Sequence, residues 1–231
     1  MNKIVLLTVS LMLAGLLVVS NSAFADDLKP VKLPKPQITK GKPLMEVLAD
    51  RSSARSFSAE KLSDQELSNL LWAAFGINRS DTGKRTAPSA VNWQETDIYV
   101  ATADGLYLYD AKNNMLRQVL SQDIRALTGR QDFVKEVPVN LVYVANFSKM
   151  VNASKEEKDL YSAADTGFIA ENVYLYCASE GLGTVVRGSI DRQALAKAMK
   201  LRTEQRIILA QSVGYAKRVA MGDSDDMSRK P

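Results

Sequence analysis

Residues 155–191 read KEEKDLYSAADTGFIAENVYLYCASEGLGTVVRGSID and contain the longest regular pattern in the chain. Their first part predicts one helix from Lys155 to Glu180, because apolar residues recur at helical spacing over a wide face. The residues of that face include Ala163, Ile169, Val173, Tyr176 and Cys177. Gly181 is suited to end the helix, and residues 184–186 predict a strand after it. The width of the apolar face predicts a central, largely buried helix.

The segments on either side predict a mixture of helices and strands. Ser63 and Glu66 form the pattern of a helix-capping box, and the apolar stripe that follows ends at Gly76. Asp104-Gly105 is a hairpin signal between two apolar runs, and residues 77–91 predict a surface loop. Strands are predicted at 98–100, 106–109, 139–145 and 207–213, and short helices near 44–48, 121–127 and 191–201. Because no strict alternation of strand and helix is present, the sequence predicts an α+β fold.

Composition excludes several classes of protein. The chain of 231 residues has no His and a single Cys. Without His it lacks the commonest metal ligand and the commonest general base, so we expect neither a metal site nor Ser-His or Cys-His catalysis. The position of Cys177 on the apolar helix face predicts core packing. The net charge of +4 owes much to lysines between residues 29 and 42, so a nucleic-acid-binding surface is not expected.

The first 25 residues have the three-part pattern of a cleavable signal peptide. Lys3 supplies a positive start, residues 4–19 an apolar run, and Ala23-Phe24-Ala25 a cleavage site. The alternative, a membrane anchor, would need about 20 apolar residues. We therefore expect cleavage after Ala25, no stable membrane span afterwards, and a periplasmic protein, with secretion as the alternative. The predicted segments are then an extended, solvated arm at 26–43, one domain at 44–218 and a polar tail at 219–231.

Three short stretches offer binding chemistry. Arg51-Ser52-Ser53-Ala54-Arg55 combines two guanidinium groups with two hydroxyls, which suits a phosphate monoester and a neighbouring polyol, although a solvated helix end has the same composition. Pro88-Ser89-Ala90-Val91-Asn92 offers short polar side chains and an amide that can read the edge of a heteroaromatic ring. The glycines of residues 181–189 allow the backbone to approach a planar ligand, although Gly181 is equally explained as a helix cap.

Taken together and in this order, these stretches resemble the nitroreductase-like flavoprotein superfamily, in particular the branch related to the azoline-oxidising dehydrogenases of thiazole and oxazole peptide maturation. Residues 51–55 are similar to its Arg-x-Ser-x-Arg/Lys element, and residues 88–92 are similar to its Pro-Ser-x-x-Asn element. Residues 165–191 are similar to its long helix ending in Gly-Leu-Gly, with the strand and turn that follow. The resemblance covers residues 44–218.

The resemblance implies a nitroreductase-like mixed sheet flanked by helices, with an FMN site formed by these stretches. The implied cofactor-binding residues are Arg51, Ser52, Ser53, Arg55, Pro88, Ser89, Ala90, Asn92, Val186, Arg187, Gly188, Lys217 and Arg218. In such proteins the flavin carries the redox chemistry, so no side chain is expected to be catalytic. The Arg187 side chain, where several relatives carry an acid, would place positive charge near the flavin ring and raise its reduction potential.

Two functions are compatible with the resemblance. One is an FMN-dependent oxidoreductase that transfers a hydride or electron pair between the flavin and a small organic or quinone-like substrate. The other is a non-catalytic flavin-binding or degenerate module that acts as a carrier or interaction partner. A homodimer is also implied, since FMN sites of the family lie at a two-fold interface. Because nicotinamide cofactors are expected to be scarce outside the cytoplasm, an exported chain would need another electron donor.

Overall fold

The computed structural model describes residues 28–217, so the predicted signal peptide and the polar tail lie outside the described residues. The strands are β1 Val31–Lys32, β2 Ile77–Arg79, β3 Lys84–Arg85, β4 Thr96–Thr102, β5 Gly105–Asp110, β6 Met115–Leu120, β7 Val139–Asn146, β8 Gly183–Arg187 and β9 Gln205–Gly214. The α-helices are α1 Leu44–Asp50, α2 Asp64–Phe75, α3 Lys155–Glu180 and α4 Arg192–Ala198. The structure confirms the predicted α+β fold.

Seven strands form one sheet in the order β1-β6-β5-β4-β7-β9-β8, and every neighbouring pair is antiparallel. Strand β7 lies inside this order, and all of its residues are buried. Its side chains alternate between the two faces of the sheet. Leu141 and Tyr143 pack in the layer that contains α2 and α3, whereas Val142 and Val144 pack in the layer that contains α4.

Helix α3 has the bounds that the sequence predicts. A capping box between Ser154 and Glu157 begins it, and Gly181, in the left-handed conformation at φ 73°, ends it. Ile169, Val173 and Cys177 on its apolar face are buried in the core with α2 and β7. Tyr176 is only half-buried and Ala163 is exposed, so the buried face is narrower at its first turns than predicted.

Other predictions are confirmed in outline, with three differences. The capping box of α2, the hairpin between β4 and β5, and strands β7, β8 and β9 are present. The predicted loop at 77–91 contains the short β2–β3 hairpin, and the predicted helix at 121–127 is reduced to a 3-10 turn at Arg125–Leu127. Strand β6 was not predicted, because Arg117 and Gln118 interrupt its apolar pattern.

Most of the described residues of the arm after the predicted cleavage site are exposed, but the arm is attached to the domain near Leu33. Strand β1 pairs with β6 at the edge of the sheet, and the Leu33 side chain is buried. The Pro34 carbonyl oxygen accepts hydrogen bonds from Ser68 and Asn114. Burial of one leucine and satisfaction of backbone groups by side chains give this proline-rich stretch a fixed path.

Two further expectations concern single features. Cys177 is buried, and burial raises the pKa of its thiol, as expected of a core residue with little thiolate character. Within residues 28–217, no helix is both long enough and apolar enough to cross a membrane.

Candidate functional site

The Arg51–Phe57 segment lies along the outer edge of β8, the last strand of the sheet, and beside the end of β9. Its Ala54 N–H donates to the Thr184 carbonyl oxygen at 2.9 Å, and its Ser56 carbonyl oxygen accepts from the Lys217 N–H at 3.0 Å. A Cβ atom on Gly183 would lie 2.8 Å from the Cβ of Ala54, so this close approach requires glycine. The segment is therefore held against the sheet by backbone contacts, which leaves its polar side chains available.

Tyr174 of helix α3 joins two of the predicted stretches. Its hydroxyl accepts a hydrogen bond from the Val186 N–H at 3.0 Å and lies 2.9 Å from the Ser53 hydroxyl. The Arg51 guanidinium lies over its ring, 5.4 Å from the centroid. Tyr174 was not among the site residues predicted from the sequence. The sequence pattern that could have indicated it is a tyrosine beside the buried face of a helix, because a tyrosine hydroxyl in such a position needs a polar partner.

The cations of this region have no acidic partners among the described residues. Arg51 is half-buried, Arg55 and Lys217 are exposed, and none of the three belongs to an ion pair within residues 28–217. The Lys217 backbone is bound to the residue that follows Arg55, so these two positive residues are neighbours. A site with two arginines, a lysine and serine hydroxyls is suited to a phosphate group. The predicted partner Arg218 lies outside the described residues.

The second predicted stretch forms a strained loop ahead of β4. The Ser89 hydroxyl accepts from the Gln94 N–H at 2.8 Å, and the Gln94 side-chain amide donates to the Asn92 amide oxygen at 3.1 Å. Val91, Asn92 and Gln94 have positive φ angles of 50°, 61° and 48°. This conformation is costly for a β-branched residue such as Val91, which is also 82% exposed. Strain of this kind is concentrated at binding sites.

The structure does not bring this loop together with the Arg51–Phe57 segment in one chain. The Ala90 N–H donates to Asp165 of α3, nine residues before Tyr174, and nine helical residues span about 14 Å. Strands β7 and β9 lie between β4, which the loop precedes, and β8. Three strand spacings also amount to about 14 Å. Pro88, Ser89, Ala90 and Asn92 thus form one half-site, and the first and third predicted stretches form another.

The prediction for the Arg187 side chain needs correction. The guanidinium is buried and donates to the Thr128 carbonyl oxygen and to the Asn140 side chain, each at 2.7 Å. Burial lowers its pKa to about 10. Its side chain therefore has a structural role in the interior, beside Thr128 and Asn140. Of residues 186–188, the partly exposed Val186 and the exposed Gly188 remain accessible to a ligand.

The domain thus combines a seven-stranded antiparallel sheet and a long buried helix with a cationic, serine-containing segment at the edge strand β8 and a separate polar loop. The model of the nitroreductase family matches residues 48–215, which include the Arg51–Phe57 segment, the strained loop and the β8 edge. The chain belongs to the nitroreductase family of oxidoreductases.

Individual relatives agree with this assignment. A nitroreductase homologue of Methanocaldococcus jannaschii is 30% identical over 169 residues, which cover 69% of this chain and 85% of the relative. The crystal structure of a nitroreductase homologue from Ralstonia eutropha JMP134 is 46% identical, with a TM-score of 0.78 over 81% of this chain and 90% of that one. The similarity extends over nearly the whole of both relatives, so it concerns the complete domain.

A more distant structure has the fold of the azoline-forming branch. The Escherichia coli microcin synthetase complex McbBCD, with truncated pro-microcin B17 bound, matches with a TM-score of 0.65 at 20% identity, over 72% of this chain and 70% of that one. At this identity the match shows a common fold, as the resemblance of the sequence to that branch implies.

Proposed function

We propose that this chain is an FMN-dependent oxidoreductase of nitroreductase type that passes a hydride or electron pair between the flavin and a small organic or quinone-like substrate. The observation that supports it most is the junction at Tyr174, where the Ser53 and Arg51 side chains meet the outer edge of β8. FMN supplies the redox chemistry when bound, so a chain without His can be an enzyme.

The residues at the junction match the chemical parts of FMN. Arg51, Arg55 and Lys217 provide positive charge for a phosphate, and the exposed Ser52 and Ser53 hydroxyls can bind the ribityl chain. At the other end of the edge, a Cβ atom on Gly188 would meet only one side-chain atom, at 3.7 Å, so the backbone there is open to a flat ring. In this proposal the side chains bind and orient the cofactor, and none takes part in a covalent step.

The charge of Arg51 gives the first test. We expect Arg51→Ala to weaken FMN binding roughly tenfold to a hundredfold, because a charge-assisted hydrogen bond contributes about 1.5 to 3 kcal/mol. Quenching of flavin fluorescence on titration with the protein measures this affinity. Arg117→Ala, which removes a 59% exposed arginine on β6, is the matched control and should bind like the wild type.

This titration, together with an assay of flavin turnover, distinguishes the oxidoreductase from the non-catalytic module. Loss of affinity in Arg51→Ala alone, together with a bound flavin that is reduced and reoxidised with turnover, supports the proposal. A flavin that binds but does not turn over with any acceptor favours the non-catalytic module. A wild-type protein that does not take up FMN overturns both.

We further propose that two copies of the chain complete each site, the loop of one facing the β8 edge of the other. The separation of about 14 Å between the anchors of the two half-sites within one chain supports a site that takes its loop from a second copy. The face of α3 beside the loop is apolar and exposed, with Leu160 63% and Phe168 49% accessible. These residues lie eight positions apart and so share one helix face. Val91 on the loop and Met45 on α1 add to the exposed apolar surface.

Replacement of one residue on this face tests the dimer. We expect Phe168→Glu to give a monomer that binds FMN at least about tenfold more weakly, because a buried unpaired charge disfavours association by several kcal/mol. Phe168→Leu keeps the face apolar and should remain dimeric. Light scattering after size exclusion gives the mass. A wild-type monomer with full FMN affinity would contradict the two-chain site.

We also propose that the chain is exported with cleavage after Ala25, in which case the electron donor is not a cytoplasmic nicotinamide. The support is the signal-peptide pattern of residues 1–25. Expression of the full chain in a Gram-negative host should yield a periplasmic protein whose intact mass corresponds to a first residue Asp26. A cytoplasmic product that retains Met1 to Ala25 would be evidence against export.

A further inference from the structure

Two buried carboxyl groups lie beneath the strained loop. Glu95, the residue before β4, is fully buried, and Asp165 of α3 is 3% exposed. Consecutive residues of the loop bind one acid each, which places the two carboxyl groups side by side. The Ser89 hydroxyl donates to Glu95 Oε2 at 3.2 Å, and the Ala90 N–H donates to Asp165 Oδ2 at 2.9 Å. The acid pair therefore holds two successive residues of the half-site that would face the flavin ring.

No cation within the described residues compensates this pair. Burial raises the pKa of both carboxyl groups, and the charge of Asp165 raises that of Glu95 further. Hydrogen bonds from Ser89, Ala90 and Thr96 act in the opposite direction and are weaker than burial. Two neighbouring carboxyl groups in the protein interior cannot both be ionised without a large cost. One proton between them removes that cost, because the protonated group can donate to the other.

The charged groups of the neighbouring elements are occupied elsewhere. Lys149 contacts the Gln94 carbonyl oxygen but pairs with Asp97 at 2.7 Å. Arg85 of β3 donates to the Gln94 side chain and to the Phe75 carbonyl oxygen. These contacts fix the far end of the loop, whereas Glu95 and Asp165 bind its other end, at Ser89 and Ala90.

We infer that Glu95 and Asp165 share one proton and are positioning residues for the loop of residues 89–94, so that loss of this proton loosens the loop and weakens flavin binding. The inference about flavin rests on the proposed function. The expected loosening does not, since the two acids and the loop belong to one chain. The strain at Val91 and Asn92 supplies the tendency to relax once the contacts to Ser89 and Ala90 weaken.

The direction of the pH effect follows from the raised pKa values. In the unfolded chain the carboxyl groups ionise near their ordinary values of about 4. The folded state holds the proton to higher pH, so the contribution of the pair to stability is complete at low pH and is lost as pH rises through its folded pKa. Flavin affinity should decline over the same interval.

Amide variants test this inference because they imitate a pair that keeps its proton. Glu95→Gln and Asp165→Asn each allow one side chain to donate to the other at any pH. Asp123→Asn, which removes an acid that pairs with Arg125 outside the loop, is the matched control. Thermal unfolding of the FMN-free protein is measured between about pH 5 and pH 8. Relative to wild type and control, both amide variants should become more stable as pH rises.

Two further measurements separate the inference from the proposed function. The first is the ratio of the variant's FMN affinity to that of the wild type at each pH, in which the titration of the FMN phosphate cancels. This ratio should rise roughly three- to tenfold across the pH range. In wild-type protein without flavin, hydrogen exchange at the Ala90 and Gln94 amides, corrected for intrinsic rates, should speed up with pH.

The results have distinct meanings. Exchange protection that does not change with pH overturns the shared proton, and this holds even if the variants do not fold. Protection that falls with pH, combined with FMN affinity ratios that stay constant, overturns the positioning role. A protein that fails to bind FMN at all, but shows the pH-dependent exchange, refutes the proposed function and leaves the acid pair as a determinant of loop structure.

Discussion

Burial of helix α3 against the sheet is the constraint on which the site depends. The Gln211 side chain donates to the Ala170 carbonyl oxygen and accepts from the Tyr143 hydroxyl, so the helix is fixed to β7 and β9 by a buried polar network as well as by apolar contact. Along this one rigid element, Asp165 holds the strained loop and Tyr174 holds the Arg51–Phe57 segment. The distance between the half-sites is therefore set by the number of helical residues between their anchors.

The sequence was sufficient to predict the elements that have a long apolar repeat or a specific capping motif. The bounds of α3 and the capping box at Ser63 follow from local chemistry, and the structure has both. Strands β1 and β6 could not be predicted in this way, because neither has the alternation of a half-buried strand. Strand β6 is specified by pairing with β5, and β1 by pairing with β6. These pairings depend on residues outside each strand, so the local sequence does not indicate them.

At the candidate site, the sequence predicted which stretches of the chain contribute better than it predicted the roles of individual side chains. The approach of residues 51–57 to the β8 edge agrees with their common assignment to one cofactor. The junction at Tyr174 depends on which residue of α3 faces that edge, and the position of Arg187 depends on the face to which a strand residue points. Both are properties of tertiary packing. The acid pair beneath the loop was missed for the same reason, since Glu95 and Asp165 are 70 positions apart in the chain.

The most direct test of the two-chain site uses mixed dimers. One chain carries Arg51→Ala and the other carries Ser89→Ala with Asn92→Ala, so that each parent homodimer has a defect in both of its sites. A dimer of one chain of each kind would have one intact site and one site with both defects. If each site is built from two chains, such dimers, isolated with different affinity tags, will bind one FMN per two chains with wild-type affinity. Mixed dimers that bind FMN no better than the parents would show that each site lies within a single chain.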